Sequence, residues 1–223
     1  MKTRYLVVLI VFLSITLSSC GDEDYVYPPV KLEFLTAESG DDGNIKVLLK
    51  DDGERLSVKE DRTQTKIEAN STKRVISNYE QLATGEVRIY AMGNVVSPLP
   101  LPADAEAFKD GIKTDPAEIL SIWMGRDYLN MVLQVKAQNG KHYFHFVEEK
   151  VFVNDLGDKC VSILLYHDKN GDVPAYTQRA YASIPLKQYA DPYSERILIY
   201  FGYYAADGYR RNLEPFNYVP SEN

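Results

Sequence analysis

The chain has 223 residues, 45% of them hydrophobic and 12% aromatic, with 32 Asp and Glu against 25 Lys and Arg and a formal charge of −7. That apolar content excludes wholesale disorder, and the length allows one or two domains, each able to bury its own core. The acidic balance argues against a nucleic-acid partner, because surfaces that track phosphates need clustered Lys and Arg.

Lys2 and Arg4 precede an apolar run over residues 5–13, and small residues then lead to Cys20. The run is shorter than the roughly 20 apolar residues that span a bilayer. Its order of charge, apolar core and small residues is that of a secretory signal over residues 1–19. Leu17-Ser18-Ser19-Cys20 resembles the bacterial lipobox, in which the cysteine is acylated by palmitate-type chains and becomes the first residue of the mature protein. The alternative is an ordinary export signal that ends near a cysteine. Cleavage before Cys20 removes Lys2 and Arg4 and leaves 204 residues at −9. Each acyl methylene buried in lipid contributes about 0.8 kcal/mol, so a multiply acylated Cys20 holds the membrane without a spanning helix. Asp22, Glu23 and Asp24 follow directly and resemble the surface-export signal of Bacteroidetes lipoproteins. This predicts a protein anchored in the outer membrane and displayed at the cell surface. A solvated acidic tether on the periplasmic face is the alternative. Cys160 then stands alone and reads as a small buried hydrophobe.

Residues 20–29 form the tether, ending in Pro28-Pro29. Short strands follow over residues 30–97. Leu32 and Phe34 alternate with Lys31 and Glu33, and Ile45, Val47 and Leu49 repeat the period. Asp51-Asp52-Gly53 turns the chain into Leu56 and Val58, a hairpin signal because Gly accepts a positive φ. With Val75-Ile76 and Val87, Ile89 and Ala91, these make five strands, which suits a small OB-like barrel. Residues 98–110 read as a proline-rich linker with a short helix.

The second block, residues 111–223, is longer and more aromatic. Leu129, Met131, Leu133, Val135 and Ala137 share one face of a strand, and Asn139-Gly140 reads as a hairpin turn into Tyr143, Phe144 and Phe146. Strands over residues 161–167, 180–186, 196–204 and 209–219 follow, with frequent turn signals and no long amphipathic helix, which argues for an antiparallel β-sandwich. The fold class is therefore all-β, a small barrel followed by a sandwich. Residues 20–100 carry 15 acidic and 10 basic side chains and residues 101–223 carry 17 and 13, so both blocks are acidic.

Chemistry-bearing constellations are sparse. Asp168-Lys169-Asn170-Gly171-Asp172 departs from a calcium loop, with Gly at the fourth position and Arg179 at the twelfth, and reads as an Asn-Gly hairpin turn. His142 and His145 are three apart on a strand and face opposite sides; His145 and His167 could meet across neighbouring strands, but without a third ligand no metal site is predicted. No Gly-x-Ser-x-Gly elbow, His-Glu-x-x-His pair or phosphate loop occurs, so neither an enzyme nor a cofactor is expected. The aromatic run over residues 197–204 is apolar on both faces. Either both are covered, as in a central strand, or the face of Leu198, Tyr200, Gly202 and Tyr204 is a contact surface. Tyr200, Tyr204, Tyr209 and Arg210 are then the candidate binding residues, for an envelope protein or for sugar rings. Trp123 reads as core.

Asp115-Pro116, the stretch from Ile119 to Gly125, and Tyr128-Leu129-Asn130 resemble the NigD-like lipoproteins of Bacteroidetes. Asn170-Gly171-Asp172, the segment from Ala182 to Leu186, and Asp51-Asp52-Gly53-Glu54-Arg55-Leu56 extend the likeness. The sequence Gly125-Arg126-Asp127-Tyr128 departs from the more glycine-rich approach expected there. The resemblance implies an N-terminal OB-like domain, a C-terminal β-sandwich and no established activity; an immunity or envelope accessory role is the suggestion it carries.

Overall fold

The computed structural model describes residues 29–192 and 195–221. Strands β1 (Val30–Ser39), β2 (Ile45–Leu49), β3 (Arg55–Asp61), β4 (Thr72–Gln81) and β5 (Val87–Asn94) close into a barrel in the order β1-β2-β3-β5-β4. Every neighbouring pair is antiparallel except β3 with β5. The Asp51-Asp52-Gly53 turn joins β2 to β3 as expected: Gly53, at φ +92°, donates its N–H to the Lys50 carbonyl at 3.0 Å.

Leu35, Ala37, Leu48, Leu56, Val75, Tyr79, Val87 and Ile89 fill the barrel. The period-two pattern at Leu32 and Phe34 marks the other face of β1. Leu32 is 59% exposed, and Phe34 is buried outside the barrel in a cluster with Ile76 and Val95, against Val132 and Tyr181 of the second domain. A barrel strand whose outer face is covered by a neighbouring domain carries apolar residues in both phases, so alternation alone could not say which phase points inward.

The second domain stacks two sheets. β7 (Glu118–Met124), β8 (Tyr128–Ala137) and β11 (Tyr176–Pro185) form a three-stranded sheet with β8 central. The larger sheet runs β13-β12-β10-β9-β6, where β6 is Leu101–Pro102, β9 Tyr143–Val153, β10 Lys159–Asp168, β12 Ile197–Ala205 and β13 Gly208–Arg211; β14 (Phe216–Tyr218) also pairs with β12. Two of its pairings, β10 with β12 and β6 with β9, are parallel. Leu129, Met131 and Leu133 of β8 pack with Ile184 against Phe146, Val161, Ile163, Ile197 and Ile199 from the larger sheet. The proline-rich stretch contributes β6 at the sheet edge, where a missing N–H is tolerated. A 3₁₀ turn, Glu106–Phe108, lays Phe108 on the outer face of that sheet against Val147 and Leu164.

Asn139-Gly140 does not make a hairpin. Strands β8 and β9 lie in different sheets, and neither residue adopts a positive φ. The Asp172 carboxylate accepts the N–H groups of Gln138 (2.7 Å) and Asn139 (3.3 Å), and a Cβ on Gly140 would lie 2.5 Å from the Asp172 Cβ. The Gly is thus spent on close approach to Asp172, and the chain crosses to the other sheet. Asn170 and Gly171 do take positive φ (+53° and +73°), yet they too link strands of opposite sheets. No helix among the described residues is long and apolar enough to cross a membrane.

Candidate binding surfaces

The two domains meet on Arg74 of β4, which is 5% exposed. Its Nη2 donates to Asp51 Oδ2 (2.7 Å) and Asn130 Oδ1 (2.9 Å), its Nε to Ser183 Oγ (3.2 Å), and its Nη1 to Thr36 Oγ1 (3.3 Å). Asn130 Nδ2 donates back to Asp51 Oδ2 at 2.8 Å, Ser183 Oγ donates to Asn130 Oδ1 at 2.6 Å, and the guanidinium lies 4.2 Å from the Tyr128 ring centroid. A buried cation is tolerable only when its donors are engaged in this way. A Cβ on Gly125 would overlap Asp51 Oδ2 and Asn130 Nδ2, so only glycine lets the β7–β8 turn approach. Asp51, Gly125, Tyr128, Asn130 and Ser183 all belong to motifs that carried the family resemblance. Those motifs build the domain junction.

Beside this junction lies a groove of about 510 Å³, bounded by β1, the β2–β3 turn and the outer face of the three-stranded sheet. Its aromatic wall is Phe34, Trp123 and Tyr181. Phe34 meets Trp123 edge-on at 5.2 Å and Tyr181 at 5.9 Å. Trp123 is 37% exposed and faces the groove instead of the core. It projects from the face of β7 opposite Ile122, whose side chain packs into the sandwich. The groove's carboxylates are engaged within the protein: Asp51 by Arg74, Asp52 by Lys50 (2.7 Å), and Glu33 by the Tyr79 hydroxyl (2.6 Å). Arg179, exposed at the far end, has no ion pair among the described residues.

On the opposite side of the molecule, β12 shows one face to the sandwich core through Ile197, Ile199 and Phe201. Its other face carries Leu198, Tyr200, Gly202 and Tyr204. The Asp207-Gly208 hairpin sets Tyr204 opposite Tyr209, Tyr203 opposite Arg210 and Gly202 opposite Arg211. Tyr200, Tyr204 and Tyr209 therefore share a face, with Tyr204 37% and Tyr209 47% exposed and Tyr200 half-buried. Arg210 points to the other side, paired with Asp207, and Arg211 takes the expected place of the cation, 4.5 Å over the Tyr200 ring. Period-two counting from Gly208 carries this distinction. Tyr209 lies across Gly202, where a Cβ would collide with its hydroxyl. Burial pushes the Tyr209 hydroxyl pKa upward.

The histidine that meets His167 is His142, not His145. His142 Nδ1 lies 2.8 Å from His167 Nε2, and His142 Nε2 lies 3.3 Å from Asp172 Oδ2. His167 Nδ1 donates to the Asp115 carbonyl at 2.9 Å, which fixes its tautomer. Burial lowers the His167 pKa, and the Gln138 amide is the main group holding Asp172 down at about 2. Each imidazole nitrogen of the pair is engaged within the protein, so the array ties the β8–β9 and β10–β11 connections to the segment before β7. His145 instead meets Phe108 edge-on at 5.3 Å. Among the described residues no group of three or more His, Cys, Asp or Glu is arranged to hold a metal ion. Cys160 is buried, and burial raises its thiol pKa. Cys20, Asp22, Glu23 and Asp24 lie outside the described residues.

A closed five-stranded barrel clasped to a two-sheet sandwich defines a two-domain all-β protein. The NigD-like C-terminal β-sandwich domain family matches residues 100–214. The crystal structure of a NigD-like immunity protein from Bacteroides caccae is 43% identical, with a TM-score of 0.76, covering 88% of this chain and 100% of that one. The chain belongs to the NigD-like family. A provisionally toxin-related protein of Parabacteroides distasonis (17% identity, TM-score 0.70, 85% of this chain and 93% of that one) shares the fold. So does a Bacteroides vulgatus protein of unknown function (19%, 0.60, 87% and 91%). No curated protein matches.

Proposed function

We propose that this NigD-like chain is a non-catalytic accessory lipoprotein of the bacterial outer membrane, displayed at the cell surface and acting in an immunity-type role by binding another envelope molecule. The observation that carries the reading is the 43% identity to an immunity protein over 88% of the chain. The lipobox-like Leu17-Ser18-Ser19-Cys20 supplies the anchor and Asp22, Glu23 and Asp24 the surface-export signal. Cys20→Ala should leave unprocessed precursor and abolish membrane retention; unchanged fractionation contradicts the anchor. Protease added to whole cells should remove the two β domains, whereas protection behind an intact outer membrane places them on the periplasmic face. Acylated protein recovered from native envelopes should bring down a defined partner.

A second reading is glycan capture on the tyrosine face. Tyr200, Tyr204 and Tyr209 share one accessible surface beside Arg211, and planar rings with a polar edge suit sugar faces. Affinity electrophoresis in gels cast with neutral polysaccharides tests it: retardation should vanish in a Tyr204→Ser, Tyr209→Ser protein, and unretarded parental protein rejects the reading.

A further inference from the structure

We propose that the groove at the domain junction receives an extended peptide segment of a partner protein, added as a strand to the free edge of β1. This rests on the reading of the chain as a binding module and names the chemistry of its partner. Residues 30–35 of β1 pair with β4, while pairing with β2 starts only at Thr36. Among the described residues, no strand covers the other edge of residues 30–35. In an antiparallel ladder alternate residues turn their N–H and C=O groups away from the partner strand, so this edge presents unpaired donors and acceptors. The groove touches Leu32, Glu33 and Phe34 in succession. Consecutive strand residues point to opposite faces, so a groove that reaches all three runs along the backbone edge.

An open edge is what proteins ordinarily blunt with charge or cover; Lys31 and Glu33 charge one side of this one, while the side of Leu32 and Phe34 stays apolar. Here Leu32 is exposed beside an aromatic wall. An extended backbone satisfies such an edge with main-chain hydrogen bonds and sends alternate side chains into flanking pockets. A sugar would use the aromatic wall but leave the edge unpaired.

The groove also has a direction. Asp51 binds Asn130, while Arg179 pairs in register with Gln134, four residues further along β8. That separation is about 13 Å at roughly 3.3 Å per residue, enough for four extended residues. At the turn end Asp51 pairs with Arg74, and Asp52 and Glu54 with Lys50, while Arg179 at the other end has no ion pair among the described residues. The complementary segment carries apolar side chains against Trp123, Val132 and Tyr181 and a carboxylate toward Arg179.

Trp123 is the chain's single tryptophan and reports on the groove directly. Full-length acylated protein in detergent is titrated with end-capped Thr-Xaa-Xaa-Asp peptides bearing Val, Leu, Phe or Tyr at Xaa, with emission excited where tyrosine is silent. At least one peptide should give a saturable blue shift and protect Trp123 from acrylamide. Alternate-residue backbone N-methylation in one of its two frames should weaken binding at least tenfold, as should Arg179→Glu. No shift from any peptide at millimolar concentration, equal binding by both N-methylated frames, or a shift from maltohexaose alone overturns the assignment. Envelope retention and partner recovery by the Arg179→Glu protein are scored in parallel, so a groove that binds no peptide is distinguished from a chain that is not an envelope module.

Discussion

The Arg74 junction and the tyrosine face around Gly202 are built from the same materials, an arginine over aromatic rings and a glycine admitting a close approach, with opposite burial. Arg74 sits over Tyr128 with its donors engaged by Asp51, Asn130, Ser183 and Thr36. Arg211 sits over Tyr200 on an open sheet face, beside exposed Tyr204 and Tyr209. In the first case every hydrogen bond is made within the chain, so the group sets the relation of barrel to sandwich. In the second the apolar rings and the cation are available to another molecule, the combination that anchors interfaces.

The contrast can be broken first at Arg74. Arg74→Met strips Asp51, Asn130 and Ser183 of their shared donor, and loss of one partner from a buried pair costs about 3 kcal/mol or more; urea denaturation should show this with a less cooperative transition. Gly125→Ala forces a methyl group onto Asp51 and Asn130 and should destabilise by about 1–3 kcal/mol in the same assay. The His167 site gives a smaller, pH-dependent effect. Its folded pKa lies below the ordinary histidine value of 6.5, so below that pH the unfolded chain takes up a proton that the native protein resists. Stability should fall as pH drops through 6.5, no faster than about 1.4 kcal/mol per pH unit for one proton, and His167→Gln should flatten that slope. A further loss follows between 3.8 and about 2 as Asp172 is protonated. Tyr209→Ser uncovers Gly202 and should cost less than about 1 kcal/mol, the scale of a cross-strand pair, while leaving the junction unchanged.

Local signals served well where a turn or a strand is decided by near neighbours. The Asp51-Asp52-Gly53 turn and the inward row of Leu129, Met131, Leu133 and Val135 are legible because each depends on residues within a few positions. Leu32 and Phe34 marked a half-buried strand, as found, but no local period could say that Phe34 is covered from outside the barrel by the sandwich. Asn139-Gly140 failed as a hairpin because Asp172, 32 residues beyond Gly140, holds that connection. Arg74 left no local trace, since its partners come from positions 36, 51, 130 and 183. At the tyrosine face the residue types were readable and only the phase was missed: Arg211, not Arg210, lies with Tyr209, as alternation from Gly208 requires.

An exposed contact face serves an envelope partner only if the chain is held at the envelope, and the mature amino terminus decides that. Intact-mass measurement on protein extracted from native membranes should return a chain that starts at Cys20, heavier than its sequence by a diacylglyceryl group and its amide-linked acyl chain. A mature protein with an unmodified thiol, recovered from the soluble fraction, would contradict the account.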